Sequence, residues 1–264
     1  ISYAQDRGFD VLLDAAAFVP TSRLDLSVYK PDFVSVSFYK IFGYPTGIGC
    51  LLIRKTAFDK LRKPWFAGGT VTLVSVAAQK KILANSHERF EDGTVNYTNL
   101  PAIKIGLDYI ESIGIERITQ RIRTLTIFLH KELAKLKHNN GKSLVKIFGP
   151  TDFSNRGGNM IMNFFDVNGQ VFPLHKIEKM TADNKISIRS GCFCNPGIDE
   201  INNLITKEEM SEYFYSHEKG DYYDMMKFLG KMRGATRVSV GIATTKQDLL
   251  KFVEVLKNLV NQEA

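Results

Sequence analysis

The hydrophobic positions in the first part of the chain fall into short runs of the length expected for buried strands. The run at 10–14 ends in Asp14, as a parallel strand with a polar residue at its carboxyl end does. Similar runs occur at 33–37, which leads into Lys40, and at 47–53. We therefore predict three strands of this kind. The stretch between Asp14 and Lys40 is long enough for a crossover between the first two.

Helical periodicity is typical of much of the chain beyond residue 74. A long amphipathic helix over 115–136 is predicted from Ile118, Ile122, Leu125, Leu129 and Leu133 along one face. The other predicted helices cover 74–85, 103–113, 172–180, 206–215, 221–229 and 245–260, with a capping box at Thr206-Lys-Glu-Glu209. Further strands are predicted at 144–148, 159–165, 185–189 and 237–241. The pattern is that of an α/β protein with a domain boundary within residues 115–140.

Composition and charge narrow the classes of partner. Of 264 residues, 44% are apolar and 24% are charged, which is ordinary for a globular protein, and no apolar run approaches the ~20 residues of a membrane helix. The net charge of +7 is scattered, without a compact basic block interleaved with aromatic residues. We expect a solvated surface, with no nucleic-acid or membrane partner; attraction to an anionic ligand or partner is the alternative. Three cysteines are too few for a disulfide framework, which favours a cytoplasmic location.

Two of these cysteines lie in Ser190-Gly-Cys-Phe-Cys-Asn-Pro-Gly197, a segment whose glycine and proline predict an exposed turn. Arg189 comes just before this segment. An arginine five residues before a loop thiol is able to hold a carboxylate while the sulfur reacts, which suggests an amino-acid substrate attacked by Cys194. As metal ligands, Cys192 and Cys194 would supply half a zinc site at best, so we predict no metal.

Lys40 follows the second predicted strand and precedes the turn-forming stretch 43–47. A lysine at a strand end beside a turn is able to point into a crevice, where burial makes it a nucleophile for an aldehyde. Asp14, at the end of the neighbouring strand, would then pair with a pyridinium nitrogen. On position alone, both residues have simpler interpretations: a surface lysine and a strand-ending turn former.

The order of these motifs resembles a known family. Along the chain come Asp14, Ser37-Phe-Tyr-Lys40, Gly43-Tyr-Pro-Thr-Gly47-Ile-Gly49, Phe90-Glu-Asp-Gly-Thr94-Val-Asn96 and Arg189-Ser-Gly-Cys-Phe-Cys194. This order resembles the cysteine desulfurase branch of the class V aminotransferase family. The strings Ser37-Phe-Tyr-Lys-Ile-Phe-Gly43 and Gly191-Cys-Phe-Cys-Asn-Pro-Gly197 are similar to the amino-terminal, desulfurase-like part of molybdenum cofactor sulfurases. The resemblance covers nearly the whole chain.

This resemblance implies an α/β fold, that of the pyridoxal 5'-phosphate (PLP) dependent transferases of aspartate aminotransferase type (fold type I). Residues 1–120 would be the C-terminal portion of the PLP-binding large domain. Residues 121–264 would be a smaller α+β C-terminal domain that carries the cysteine loop. The resemblance also implies a homodimer, and a longer protein in which cofactor-binding segments precede Ile1 and a domain for the molybdenum cofactor comes after residue 264.

The family's cofactor-binding roles transfer residue by residue. Lys40 matches the lysine that forms a Schiff base with PLP, and Asp14 matches the partner of the pyridine nitrogen. Ser37 matches a phosphate ligand, and Thr94 matches the threonine that reaches the phosphate from the neighbouring subunit.

The substrate roles transfer in the same way. Arg189 matches the arginine that grips the carboxylate of L-cysteine, a task that suits a guanidinium group. Cys194 matches the nucleophile that takes the sulfur as a persulfide, and Cys192 is secondary. Ile198-Asp-Glu200 stands where sulfurases often carry a further cysteine.

The function that the resemblance implies is PLP-dependent desulfuration of L-cysteine, giving alanine and a protein-bound persulfide. The sulfur would then pass to the molybdenum cofactor. Two alternatives stay open. One is a general cysteine desulfurase that serves iron–sulfur assembly or tRNA thiolation. The other is a non-catalytic fragment that keeps the fold as a binding or dimerisation domain.

Overall fold

Strands β1 (Leu12–Asp14) and β2 (Phe33–Ser37) pair in parallel in a computed structural model that describes residues 1–44 and 46–264. The register sets Asp14 opposite Ser35. The predicted crossover is therefore confirmed, and both strands end at the same edge of the sheet. The turn predicted at 43–47 includes Pro45, which lies outside the described residues.

Strand β3 (Gly49–Ile53) pairs with β2 in the antiparallel sense, so its grouping with two parallel strands was wrong. The sheet order is β1-β2-β3. The reason lies in the connection, since only the short stretch 38–48 joins β2 to β3. A parallel return needs a crossover of a dozen or more residues, whereas an antiparallel return needs only a tight connection.

The segment predicted as a helix at 74–85 is instead a β-hairpin. Strands β4 (Val71–Ser75) and β5 (Lys80–Leu83) pair antiparallel, with an irregularity in register between Val71 and Leu73. The Ser75 hydroxyl accepts the Ala78 N–H at 3.1 Å, and Gln79 adopts a left-handed backbone with φ of 50°. The turn and the β-branched residues before it outweigh the weak helical periodicity.

The helices of this part of the chain include α1 (Ser2–Gln5), α2 (Tyr39–Phe42) and α3 (Pro101–Ile113), with 3-10 turns at Lys55–Lys60 and His87–Phe90. Pro101 occupies the first turn of α3, where its fixed φ suits the helix and its missing N–H leaves no bond unmade. The Phe42 ring lies flat against the backbone of α3 at Gly106, where an added Cβ would come within 2.5 Å of three ring carbons. This contact fixes the short helix α2 against the long helix α3.

Strands β1 and β3 are the edges of their sheet, and both present apolar side chains to solvent. Leu12 is 61% exposed, Leu51 48% and Leu52 43%. Parallel strands are usually covered on both faces. Leu12 and Leu51 are therefore exposed on one face of the sheet, and Leu52, the neighbour of Leu51 along β3, is exposed on the other face.

The contacts divide the chain into two compact units, residues 1–119 and 120–264. Helix α4 (Ile115–Ala134) contains the boundary. The sheet of the second unit has the order β6-β7-β9-β8, with all neighbours antiparallel. Its strands are β6 (Val145–Phe148), β7 (Asn159–Phe164), β8 (Arg189–Gly191) and β9 (Ala235–Ser239). Its helices are α5 (Leu174–Asp183), α6 (Pro196–Asn202), α7 (Lys207–Ser216), α8 (Tyr222–Leu229) and α9 (Lys246–Lys257), with a 3-10 turn at Phe153–Asn155.

The core of the second unit confirms the predicted face of α4. Ile122, Leu129 and Leu133 are each at most 3% exposed, as are Met162 and Phe164 on β7. Burial of one such side chain contributes about 1.5–3 kcal/mol. The capping box at Thr206 and Glu209 is also confirmed, and α8 and α9 begin with similar boxes at Asp221 and Thr245.

The segment around the two cysteines differs from its prediction. The strand predicted at 185–189 is shifted, because Lys185 takes a left-handed backbone and β8 begins only at Arg189. Ser190 and Gly191, predicted in a turn, therefore belong to the strand. Pro196, also predicted in the turn, starts helix α6. The exposed turn is confined to the residues between them.

No helix in the described part of the chain combines the length and the apolar character that crossing a membrane requires.

We predict that Gly106→Ala destabilises the first unit. The new methyl group would displace the Phe42 ring, an overpacking cost of about 1–3 kcal/mol. Alanine's helix propensity offsets about 1 kcal/mol of that cost. Because three ring carbons would have to move, we expect the upper part of that range, and therefore a net loss of about 1–2 kcal/mol in urea unfolding. Gly68→Ala is the control, because a Cβ there meets open space. Equal stability of the two variants would contradict the Phe42 contact.

Candidate functional site

Asp14, Ser37 and Lys40 lie at one edge of the sheet of the first unit. Asp14 ends β1, Ser37 ends the parallel neighbour β2, and Lys40 follows in α2. Because Asp14 is opposite Ser35, Ser37 lies two residues further along, a rise of about 7 Å. The structure thus brings together three of the predicted site residues, and the carboxyl ends of parallel strands are where α/β proteins place ligands.

The Asp14 carboxylate is oriented by its own surroundings. One of its oxygens, Oδ1, accepts the Ala16 backbone N–H at 3.0 Å and the Ser35 hydroxyl at 3.2 Å. The residue is exposed, and its other oxygen, Oδ2, forms no hydrogen bond within the described residues. A carboxylate held on one oxygen and open on the other is suited to accept a proton donor from a ligand.

Lys40 is exposed, and no carboxylate of the described residues pairs with its amine. Its helix α2 has a single turn and ends at Gly43, which takes a left-handed backbone. The position of Lys40 therefore depends on the packing of Phe42 on α3 more than on α2 itself, since so short a helix has little stability of its own.

Thr94 lies apart from these three residues in the sequence, in an exposed loop after the 3-10 turn at His87–Phe90. The loop is tied to a glycine-containing stretch by the Gly93 N–H, which donates to the Gly68 carbonyl at 2.9 Å. Asp92 pairs with Lys63 and accepts the Trp65 indole N–H at 3.0 Å. Hydrogen bonds from Lys63 and then Trp65 lower the pKa of Asp92. The backbone before Thr94 is therefore anchored while the residue itself faces solvent.

In the second unit, Arg189 on β8 is directly opposite Arg237 on β9. Like charges on facing residues of an antiparallel pair repel each other. Neither guanidinium pairs with a carboxylate within the described residues, and the buried Nε of Arg237 has no hydrogen-bond partner there. Two arginines at facing positions of a ladder, neither paired with a carboxylate of the described residues, are suited to an anion, and a guanidinium group matches the geometry of a carboxylate.

The cysteine loop, residues 192–195, begins where β8 ends. The Asn195 backbone N–H donates to the Cys192 carbonyl at 3.0 Å, and the Asn195 side chain accepts the Ile198 N–H at the start of α6. Phe193 and Cys194 both take left-handed backbones, with φ of 56° and 59°. As a result Cys194 is exposed while Cys192 is half-buried. The Phe193 ring lies 5.1 Å from the Arg237 guanidinium carbon.

Arg237 is a candidate site residue that the sequence did not reveal. It was placed on a strand without a role, because the strand pairing that sets it opposite Arg189 joins residues far apart in sequence. Its only sequence signal is a charged residue within an otherwise uncharged strand. Asp199, assigned no role in the sequence, is a second such residue and is buried at the start of α6.

Within the described residues, no group of three or more histidine, cysteine, aspartate or glutamate side chains is arranged to hold a metal ion.

Comparison with known proteins places the chain in a family. The family profile described as "Aminotransferase class-V" matches residues 1–252. Among curated proteins, "Molybdenum cofactor sulfurase 3" of Aedes aegypti is 38% identical over 97% of this chain and 35% of its own length. "Molybdenum cofactor sulfurase" of Homo sapiens is 37% identical over 93% of this chain and 28% of its own. The chain thus spans about a third of the length of these relatives.

Solved structures give the same fold. The apo cysteine desulfurase of Thermococcus onnurineus NA1 superposes with a TM-score of 0.73 at 27% identity, covering 98% of this chain and 54% of that one. The cysteine desulfurase CsdA of Escherichia coli has a TM-score of 0.71 at 19% identity, covering 98% of this chain and 53% of that one. The second likeness concerns the fold alone.

The three cysteines should differ in their reaction with iodoacetamide. Cys50 is half-buried on β3, and burial raises the pKa of its thiol, which lowers its thiolate fraction at a given pH. Cys194 is exposed and should be alkylated first at pH 8, with Cys50 last and accelerating only at higher pH. Peptide mass spectrometry over time measures the order. Alkylation of Cys50 as fast as Cys194 would contradict the described burial.

Proposed function

Since the chain belongs to the class V aminotransferase family, we propose that it is the desulfurase part of an enzyme that takes sulfur from L-cysteine and passes it to the molybdenum cofactor. Its fold is α/β, that of PLP-dependent transferases of aspartate aminotransferase type. The observation that carries the proposal is the exposed Cys194, three residues beyond the end of β8, the strand whose Arg189 lies opposite Arg237 on β9.

The residues of the first unit fit pyridoxal phosphate. Lys40 offers an amine without an ion-pair partner in the described part of the chain, and Asp14 offers a carboxylate oxygen without a hydrogen bond there. Ser37 offers a hydroxyl at the same sheet edge. An amine for an aldehyde, a carboxylate for a ring nitrogen and a hydroxyl for a phosphate form a donor set that matches the three polar groups of this cofactor.

Each of these residues has a distinct task in the proposal. Lys40 would hold the cofactor covalently and move a proton at the substrate's alpha carbon. Asp14 would keep the ring nitrogen protonated, and Ser37 would bind the phosphate. When bound, PLP would supply the electron withdrawal that weakens bonds at the alpha carbon.

The second unit would handle the substrate. Arg189 and Arg237 would bind the carboxylate of L-cysteine, where one bidentate and one additional contact fix its orientation. The thiolate of Cys194 would form a bond to the substrate sulfur as the carbon–sulfur bond breaks. The electron pair of that bond would stay with the carbon, which takes up a proton and leaves as alanine. The sulfur would remain on Cys194 as a persulfide.

We further propose the wider setting of the chain. Residues 1–120 would be the C-terminal portion of the PLP-binding large domain, and residues 121–264 the small domain that carries the cysteine loop. The protein would form a homodimer, in which the exposed Thr94 reaches the phosphate bound by the other subunit. A cytoplasmic location fits the three free cysteines.

The sulfur acceptor is proposed from the names of the relatives, which are molybdenum cofactor sulfurases at 37% and 38% identity. A general desulfurase is the second candidate, because the chain is also 27% identical to a protein of Thermococcus onnurineus whose structure is described as a cysteine desulfurase. A chain that keeps the fold only as a binding or dimerisation domain would have no chromophore and form no persulfide.

Lys40→Ala should abolish covalent cofactor attachment. The protein, incubated with PLP, should show a yellow chromophore that borohydride reduces onto Lys40, detected by mass spectrometry of the peptide. The variant should lose that adduct, because no other amine replaces the one at the sheet edge. Lys55→Ala, at an exposed position in the same unit, is the control. A reducible chromophore retained at full strength by Lys40→Ala would show that the lysine is wrongly assigned.

Cys194→Ser should abolish persulfide formation from L-cysteine, while Cys192→Ser should keep most of it. The reason is exposure, since Cys194 faces solvent at the tip of the loop and Cys192 is half-buried. Persulfide is mapped by alkylation and mass spectrometry after incubation of the protein with L-cysteine and PLP. Persulfide that persists without Cys194, or disappears only without Cys192, would refute the assignment of the nucleophile.

A further inference from the structure

The cysteine loop and the first residues of α6 form the stretch 192–198, and the residues at its two ends, Gly191 and Asp199, are held by the same short segment of chain. At one end, Gly191 pairs with Ala235 in the β8–β9 ladder. At the other end, Asp199 is bound to Arg233 and Gly234, the two residues before Ala235. Three consecutive residues, 233–235, therefore hold both ends of the stretch 192–198. The two ends of the stretch are thereby held together, and Cys194 lies near its middle.

The Asp199 carboxylate is buried and fully engaged. Its Oδ2 accepts the Arg233 Nε–H at 2.7 Å and the Tyr222 hydroxyl at 3.0 Å. Its Oδ1 accepts the Gly234 backbone N–H at 2.6 Å and the Asn203 amide at 2.8 Å. The side chains of Asp199 and Arg233 are each only 4% exposed. A buried carboxylate that accepts four hydrogen bonds, one of them from a guanidinium group, strongly restricts the movement of the backbone that carries it.

The surroundings of Arg233 keep its guanidinium group charged. Burial alone would lower the pKa of its guanidinium, but the hydrogen bond and charge of Asp199 outweigh that effect and the pKa is raised. The Arg233 Nη1 faces the sulfur atoms of Met210 and Met225, and its Nη2 lies 3.9 Å from a carboxylate oxygen of Glu200. The pair is thus enclosed by α6, α7 and α8.

Close backbone packing completes the closure. Gly234 has a left-handed backbone, with φ of 80°, and a Cβ at this position would lie 3.1 Å from the Cα of Gly191. Gly191, at one end of the stretch, therefore packs against Gly234, whose backbone N–H binds Asp199 at the other end. Within the loop, Phe193 and Cys194 keep left-handed backbones, which cost about 1–2 kcal/mol per residue for side chains of this kind. Such conformations persist only where the surrounding structure imposes them.

We propose that Asp199 is a positioning residue for the sulfur-accepting thiol, which rests on the proposed function. By holding the start of α6 against Arg233 and Gly234, it closes the loop and imposes the left-handed backbone that presents Cys194. It touches neither the substrate nor the reacting sulfur. Its role lies in the rate of sulfur transfer and not in the binding of cysteine, since Arg189 and Arg237 are fixed by the β8–β9 ladder.

A matched pair of variants in α8 tests this. Tyr222→Phe removes one hydrogen bond to Asp199 and keeps the aromatic ring beside Arg233. The neighbouring Tyr223 is 66% exposed, and within the described residues its hydroxyl forms no hydrogen bond with Asp199. In amide hydrogen exchange without cofactor, Tyr222→Phe should speed exchange at Asn195, Ile198 and Asp199 about fivefold, the factor expected for one hydrogen bond. Tyr223→Phe should leave these amides unchanged.

Two outcomes of the exchange experiment would overturn the proposal. One is equal exchange in the two variants. The other is an equal increase in β6 and β7, which would indicate general destabilisation. Asp199→Asn should give a larger effect in the same amides, with its melting temperature measured alongside.

In the active enzyme, Tyr222→Phe should lower kcat for persulfide formation about fivefold and leave KM for L-cysteine unchanged. A raised KM with unchanged kcat would contradict the positioning role. Absence of persulfide in every variant, including the parent, would refute the proposed function. The exchange data would then still decide whether Asp199 closes the loop.

Discussion

Strand β9 is hydrogen-bonded on both of its edges, and the second unit is organised around that pairing. On one side β7 joins it to the buried core, and on the other β8 carries Arg189. The ladder alone sets Arg189 opposite Arg237 and delivers the chain into the cysteine loop. Because backbone hydrogen bonds fix this register, the two arginines stay at facing positions of the ladder in spite of the repulsion between their charges. The pairing therefore maintains an arrangement that the side chains by themselves would oppose.

The sequence revealed most of what local signals encode. The face of α4, the capping box at Thr206 and the parallel pair β1–β2 all follow from residues close together in the chain, or from a connection long enough for a crossover. The hairpin at 71–83 was missed because a short apolar segment satisfies helix and strand periodicity about equally. The turn at 76–79, and not the periodicity, decides between them.

The candidate site residues likewise divide into those that local sequence signals reveal and those that only the folded structure reveals. Asp14, Lys40 and Cys194 stand out in sequence because each follows a strand or lies in a turn, where chemistry is commonly placed. Arg237 and Asp199 do not stand out. Their partners are 48 and 34 residues away in the chain, and only the folded sheet brings them together. Sequence patterns reveal residues at the ends of strands and in turns. They miss residues whose role depends on a partner that is distant in the chain, as Arg237 depends on Arg189 and Asp199 on Arg233.

The uncovered leucines of β1 and β3 have a practical consequence. Edge strands with unpaired backbone groups and apolar side chains are templates for association with other chains. In solution, association of chains through such a surface would change an assay signal independently of the enzyme's chemistry. An assay signal that decreases while the protein stands, or that is not proportional to protein concentration, then indicates self-association at this sheet. Light scattering recorded beside each assay separates that process from events at the thiol.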